Sequence, residues 1–350
     1  MPAREIDVLI RGAGPVGCAL ALALRESRHK VRIFGSISAK PSFRPIALSY
    51  ASRLILERLG VWQSFAVTPI ETIHVSQQQG FGRTVLEAAD AGVPALGYVT
   101  EYSALVSVLQ ARCEGLFVAE DTTARCVVHA EGTADDAREK RYAQDAVVAV
   151  VRTEPASGVA AFERFTPEGP LALLPLAGRY ALIWSCRPER ALTLAQCDDD
   201  LFLKELHAAA GRRPGLPLEV QNRALQPLAL RVHPARVAQR AVYIGNAAQT
   251  LHPVAGQGLN LGMRDAWDLS RAFVESADPG EAGTLARYAA SRRVDTHAAI
   301  RITDALAGVF LGSNPLARAA RGVALTALDV FPAPRRFFAR RMIYGPSALP

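Results

Sequence analysis

Apolar positions along this chain follow two different rhythms, and the way they alternate divides it into parts. Residues 5–10 (EIDVLI) and 30–34 (KVRIF) are short apolar runs rich in Val and Ile, which predict buried strands rather than helices. Between them a glycine cluster at 12–17 (GAGPVG) interrupts the pattern, and the Ala/Leu-rich stretch that follows through residue 24 predicts a helix. Further on, 102–111 predicts a helix, 126–129 a strand and 147–184 a set of mixed short strands. Near the end the first pattern returns, with a strand over 240–245, a glycine-rich turn and a helix over 259–274. No Pro/Ser linker, internal repeat or low-complexity tract separates these parts. The order predicts an α/β protein in which a Rossmann-like cofactor domain is built from both ends of the chain around an inserted mixed or antiparallel sheet. The expected boundaries are 1–145, 146–235 and 236–310, followed by a helical tail over 311–350.

The first glycine cluster has the context that a dinucleotide fingerprint requires: strand, GxGxxG, helix, second strand. In such a turn Gly12 allows the tight bend, Gly14 lets backbone approach a pyrophosphate and Gly17 lets the helix pack on the strand, with Ala13, Pro15 and Val16 between them. One part is missing, because an acidic residue is expected to end the second strand and hold the ribose hydroxyls. Gly35 and Ser36 stand there instead, which leaves the ribose to backbone, Ser36 or Ser38.

In the second cluster, 245–265, Gly256, Gly258 and Gly262 leave room for a flat ligand at the start of a helix. Unpaired N–H groups and partial positive charge at a helix start suit a pyrophosphate or the electron-rich edge of a reduced ring. A glycine-rich surface loop capping an ordinary helix is the plainer alternative. His252 is placed either to tune proton transfer at the ligand or to cap the turn. Arg264 and Asp265, a turn into the helix, read as a surface ion pair. On a predicted strand, Glu163 and Arg164 alternate, so one of the two faces the pocket.

Four separated blocks, 12–17, 44–62, 162–175 and 245–265, resemble the flavin-dependent aromatic hydroxylases of ubiquinone biosynthesis. Within that family, Asn246 and Gln249 resemble the 2-polyprenyl-6-methoxyphenol hydroxylase branch. The resemblance implies a class A flavoprotein monooxygenase fold of the para-hydroxybenzoate hydroxylase type. It implies noncovalent FAD, NAD(P)H as a transient reductant, and O2 delivered to a polyprenylated phenol through a flavin C4a-hydroperoxide. Onto this chain it carries cofactor contacts at Arg44, Asn246, Pro253, Gly256 and Gln257, and backbone donors at Gly258, Leu259 and Asn260. Phe165, Leu173, Pro175 and Trp184 become candidates for the substrate wall, although an ordinary core accounts for them equally. Two departures stand out. Glu131-Gly132 replaces an Asp-Gly turn, and only 112–125 separates helix from strand where the family has a longer strand excursion. The alternatives are therefore a hydroxylase of a small soluble phenol, or a noncatalytic flavoprotein subunit of a biosynthetic complex.

Composition changes this picture little. A chain of 350 residues, 50% hydrophobic, buries a substantial core in about two domains. Five scattered cysteines match neither a metal site nor a disulfide framework and fit a reducing cytoplasm. No cleavable signal precedes the first strand, and no apolar run reaches membrane-spanning length. Of the net charge of +7, +5 lies in the last 40 residues, where Arg318, Arg321, Arg335, Arg336, Arg340 and Arg341 face one acid, Asp329. Interleaved with apolar residues, these arginines form either a surface for the inner face of the cytoplasmic membrane or a partner complex, or a solvated helix face packed on the core. No aromatic-interleaved basic module points to nucleic acid.

Overall fold

The computed structural model describes residues 6–35, 44–134, 136–251, 257–310 and 315–345. Two sheets share the work. The cofactor sheet has the order β15 (Val237–Ala238), β16 (Ala241–Tyr243), β9 (Ala124–His129), β1 (Ile6–Arg11), β2 (Val31–Phe34), β8 (Phe117–Val118). β16, β9, β1, β2 and β8 run parallel. Buried parallel strands read as continuous apolar runs, which is why Val8, Leu9 and Ile10 are all fully buried. Helices α1 (Pro15–Ala23), α4 (Tyr102–Arg112) and α7 (Gln257–Val274) contribute to the core around this sheet, with Leu20, Leu105, Met263 and Phe273 inside it.

The second sheet has the order β17 (Gln249–Thr250), β14 (Leu216–Val232), β10 (Arg138–Glu154), β13 (Arg179–Cys186), β12 (Pro170–Leu176), β11 (Ala160–Phe165), β5 (Thr72–Gln77), β6 (Arg83–Glu87). Two features differ from expectation. β10 and β14 are 17-residue strands rather than short ones, and β10 starts ahead of the boundary expected at 145. The sheet also recruits β5 and β6 from the first quarter of the chain, through the parallel pairing of β5 with β11. A small antiparallel sheet of β3 (Pro45–Ser49), β7 (Gly97–Glu101) and β4 (Thr68–Ile70) links the two. Short helices α2 (Tyr50–Arg58) and α3 (Ala88–Ala91) flank it.

On one face of the large sheet lie α5 (Pro188–Gln196) and α6 (Asp199–Ala210), burying Leu194, Phe202 and Leu206 against Leu173, Leu182 and Trp184. The chain closes with α8 (Ala282–Phe310), α9 (Pro315–Val330) and α10 (Pro332–Tyr344). Between α4 and β9, where a strand excursion is missing from the sequence, the only described strand is the two-residue β8.

Candidate active site

At the end of β1 the glycines divide their tasks. Gly12 has φ +115°, and a Cβ there would meet the Ala130 carbonyl carbon at 2.5 Å; at Gly17 it would meet the Gly12 oxygen at 2.1 Å. Those two positions admit only hydrogen because chain crosses chain. Gly14 is different: its Cβ would find only the Tyr102 hydroxyl, 3.7 Å away. Gly14 is also the N-cap of α1 and supplies no side-chain cap, so the first N–H groups of the helix face open space. That space is the cradle a pyrophosphate needs.

The second turn is built against the first. Gly245 has φ +59°, and a Cβ on Gly262 would lie 2.7 Å from Val16 Cγ2 and 3.1 Å from Gly245 Cα. Glycine at 262 thus lets the start of α7 pack onto α1, bringing both helix N-termini to one place.

Asp265 is not the surface ion pair that its position in the helix suggested. It is fully buried and accepts from Gly245 N at 3.1 Å, Gln249 Nε2 at 2.9 Å and Arg292 Nε at 2.8 Å, with Arg236 Nη1 at 3.2 Å. Burial pushes its carboxyl up, but the guanidinium groups of Arg236 and Arg292 outweigh that and hold it below the usual aspartate range. Arg264 pairs instead with Asp295 of α8, at 2.8 Å. The network pins the turn at Gly245 to helix α8.

Asn260 also acts through its side chain. Its Oδ1 accepts from Ser49 N at 2.8 Å and Ser52 Oγ at 2.7 Å, while Nδ2 donates to the Ala47 oxygen at 2.9 Å. This ties the first turn of α7 to β3 and α2. Removing it by Asn260→Ala leaves buried donors unmatched. The expected outcome is a loss of about 1–3 kcal/mol, read by thermal or denaturant unfolding, together with weaker flavin retention.

A cavity of about 1130 Å³ joins these turns to the large sheet. At the end nearest the glycine turns lie Gly12, Ala13, Gly14, Pro15, Val16, Arg44, Asn246, Gly258, Leu259 and Asn260. Arg44 sits over the Tyr102 ring, 4.9 Å from its centroid. His252, Pro253 and Gly256 lie outside the described residues, as do Ser36 and Ser38, and the side chain of Gln257 is likewise not described. Gly35 has φ +146°, and a Cβ there would press on Ala13 N at 3.2 Å, so this turn fits glycine better than the expected acid. Glu131 curls back on its own strand, with Oε1 2.8 Å from His129 Nδ1 and Oε2 accepting from Ala130 N at 2.9 Å. Burial pushes its carboxyl up, but these bonds prevail and hold it below the usual range.

At the other end, strand alternation decides what lines the chamber. Phe165 does, but Leu173 and Trp184 point to the opposite face, onto α5 and α6, with Trp184 6.4 Å from the Phe202 ring. Pro175, two residues beyond Leu173 on the same strand, is absent from the lining as well. Their neighbours Ala172, Leu174, Ile183 and Ser185 form the wall instead. Glu163 faces the cavity, whereas Arg164 turns to Gly211 at the end of α6. Part-exposed by surface area, Glu163 keeps that exposure toward the cavity, and desolvation pushes its carboxyl up to about 8. The roof comes from α9 and α10 through Leu325, Leu328, Phe338, Ala339, Met342 and Ile343. Among the described residues of the tail, Leu325, Ala339 and Ile343 are thus buried, whereas Val323, Val330, Phe331 and Phe337 remain exposed.

The uncapped start of α1, set beside the first turn of α7 against an apolar chamber, fits a flavin dinucleotide, and comparison with known proteins agrees. The sequence profile described as FAD binding domain matches residues 117–303, more than half of the chain. The chain belongs to this FAD-binding family. It is similar to the ubiquinone hydroxylase UbiL of Rhodospirillum rubrum, at 29% identity over 95% of this chain and 88% of that protein. It is also similar to the 3-demethoxyubiquinol 3-hydroxylase of Escherichia coli, at 28% identity over 94% and 96%. Among solved structures, Klebsiella pneumoniae HpxO complexed with FAD and uric acid superposes with a TM-score of 0.78, at 15% identity over 99% of this chain and 97% of that one. A probable FAD-dependent monooxygenase of Pseudomonas aeruginosa, pqsL, gives 0.75 at 21% identity, over 91% and 99%. The fold is therefore that of the class A flavoprotein monooxygenases, with FAD as cofactor. Family and fold together make the chain an FAD-dependent monooxygenase.

Proposed function

We propose that this monooxygenase hydroxylates the ring of a polyprenylated phenol in ubiquinone biosynthesis, with NAD(P)H as reductant and O2 as co-substrate. The observation that supports this best is the chamber itself. It runs from the glycine turns along an apolar sheet face to the roof of α9 and α10, which suits a long hydrocarbon chain attached to a ring. FAD, once bound, supplies the redox chemistry, taking electrons from NAD(P)H and activating O2. The residues of the chain supply everything else. The N–H groups at the start of α1 would hold the pyrophosphate, and those of Gly258, Leu259 and Asn260 would face the developing negative charge of the ring system. Leu174, Ile183 and Leu325 would exclude water from the reacting ring.

The test compares substrates on the FAD-loaded protein. A prenylated 2-methoxyphenol in detergent should stimulate NAD(P)H oxidation at least about tenfold more, in kcat/KM, than the same phenol without its prenyl chain, since each buried CH2 is worth ~0.8 kcal/mol. Equal stimulation by both would replace this reading with that of a small soluble phenol. No stimulation by either would favour a noncatalytic flavoprotein subunit.

No helix among the described residues is long and apolar enough to cross a membrane. We place the donor of the lipophilic substrate at an anionic membrane surface, against exposed Val330, Phe331 and Phe337 beside exposed Arg336 and Arg340. Deleting the end of the chain would be a poor test, since Ala339 and Ile343 of α10 are buried. The double substitution Phe331→Asp, Phe337→Asp should instead cut partition onto anionic vesicles at least about tenfold while FAD content stays unchanged. Unaltered partition would remove the membrane contact.

A further inference from the structure

One side chain in the chamber has a use that the flavin turns do not explain. Across the cavity face of the large sheet, one row of paired residues reads Thr84, Val75, Glu163, Ala172, Ile183, Val148, and all six line the cavity. The row on one side holds Ile73, Ala161 and Leu174; the row on the other holds Phe165, Pro170 and Ser185. Glu163 is the one ionisable group on this wall among the described residues. An acid in a wall otherwise free of charge is costly to keep, and burial alone accounts for its displaced acidity, with no partner charge contributing.

The charged groups nearest it on the sheet point to the other face. On β5, His74 points to the other face, stacked 5.1 Å from the Phe162 ring and 3.3 Å from Arg213. Arg164 is turned to Gly211. Arg321 lines the same cavity from α9, and Arg11, Arg44, Tyr102 and Glu131 line its flavin end. None of them forms a hydrogen bond or ion pair with Glu163.

We propose that Glu163 is the catalytic base of ring hydroxylation, holding the phenol hydroxyl and taking its proton. This rests on the function proposed above. As the new C–O bond forms at a ring carbon ortho or para to the hydroxyl, the hydroxyl oxygen becomes a carbonyl oxygen and its proton passes to the Glu163 carboxylate. Loss of the ring C–H proton to solvent then restores the aromatic ring, and the carboxylic acid returns its proton to the oxygen. One atom of O2 enters the product, and the other leaves as water, which takes up the two electrons and the hydrogen of NAD(P)H together with one proton from solvent.

A base must be ionised to act, so the rate should rise with pH until the carboxylate predominates. On FAD-loaded enzyme with a prenylated 2-methoxyphenol, kcat/KM should climb about tenfold per unit from about pH 6 and level off close to 8. Glu163→Gln should lower kcat/KM at the plateau about 100-fold and abolish that limb, whereas Glu163→Asp should retain it. Binding of the methyl ether of the same phenol, followed by perturbation of the flavin spectrum, should change less than about threefold in Glu163→Gln, since this ligand has no proton to give. Infrared difference spectra between about pH 6 and about pH 10 should show a buried carboxylic acid losing its proton, a signal missing from Glu163→Gln. An ascending limb that persists in Glu163→Gln, or turnover within about threefold of wild type, would overturn the role of Glu163 alone. Failure of every phenol to drive turnover in the wild type would overturn the proposed function with it.

Discussion

Gly14→Asp is expected to give a folded protein that purifies without flavin. A side chain at residue 14 meets only the Tyr102 hydroxyl, 3.7 Å from the Cβ, so the fold loses little. The ligand loses a great deal. A carboxylate would occupy the open start of α1 and stand against the two phosphates, each pair costing about 1–4 kcal/mol near 4 Å in a partly solvated site. FAD affinity should fall at least about 100-fold, the equivalent of roughly 3 kcal/mol. Absorbance of the purified protein and titration with FAD measure this, with circular dichroism as the control for folding. Gly17→Ala supplies the contrast, since its Cβ would stand 2.1 Å from the Gly12 oxygen. There the loss of flavin should come with a loss of stability. Wild-type flavin content in Gly14→Asp would move the pyrophosphate away from this turn.

Asp265→Ala is expected to destabilise the protein by about 3–5 kcal/mol, lowering Tm by on the order of 10 °C. The substitution leaves Arg236 and Arg292 with less compensation, Arg292 being only 3% exposed, and frees the Gly245 N–H and the Gln249 side chain. Because Gly245 begins the second glycine turn, which we propose holds FAD, weakened FAD binding should accompany the loss of Tm. The pH dependence has a definite sign. The folded-state carboxyl is held below its ordinary value of 3.8, so its contribution is complete above that value and is lost as the pH falls through the folded one. The gap in stability between wild type and Asp265→Ala should therefore narrow in acid, measurable as Tm between about pH 7 and about pH 3. A gap that widened toward low pH would show that Asp265 is not the ionised centre of this network.

Glu163 behaves in the opposite sense. Its folded-state carboxyl is raised from 4.5 to about 8, so the folded protein before substrate binds is penalised as pH rises through that interval. Glu163→Gln should accordingly be more stable than wild type at neutral and alkaline pH, as expected of a group kept for chemistry rather than for folding.

What could be read from the chain follows how local each signal is. The turn at 12–17 was legible because strand, glycines and helix adjoin, and the steric reasons for Gly12 and Gly17 act over a few residues or against one neighbouring strand. Asp265 was misread because its partners Gln249, Arg236 and Arg292 lie 16 to 29 residues away, and a helix position alone does not say which side is covered. Leu173 and Trp184 show a different limit. The large sheet is covered on both faces, by α5 and α6 on one and by the cavity on the other, so both alternating sets on β12 and β13 are largely apolar. Glu163 was the one ionisable mark on the cavity face among the described residues. The roof was hidden for a related reason: the tail carries a basic side and an apolar side, and that pattern suits a membrane, a partner or a core equally until Ile343 and Ala339 are seen buried.

The most direct test of the account is the fate of oxygen when FAD-loaded protein, NAD(P)H and a prenylated 2-methoxyphenol react under isotopically heavy O2. The account predicts a product with one added ring hydroxyl that carries the heavy isotope, formed in proportion to the NAD(P)H consumed. NAD(P)H oxidation that yields only hydrogen peroxide, with the phenol recovered unchanged, would contradict it.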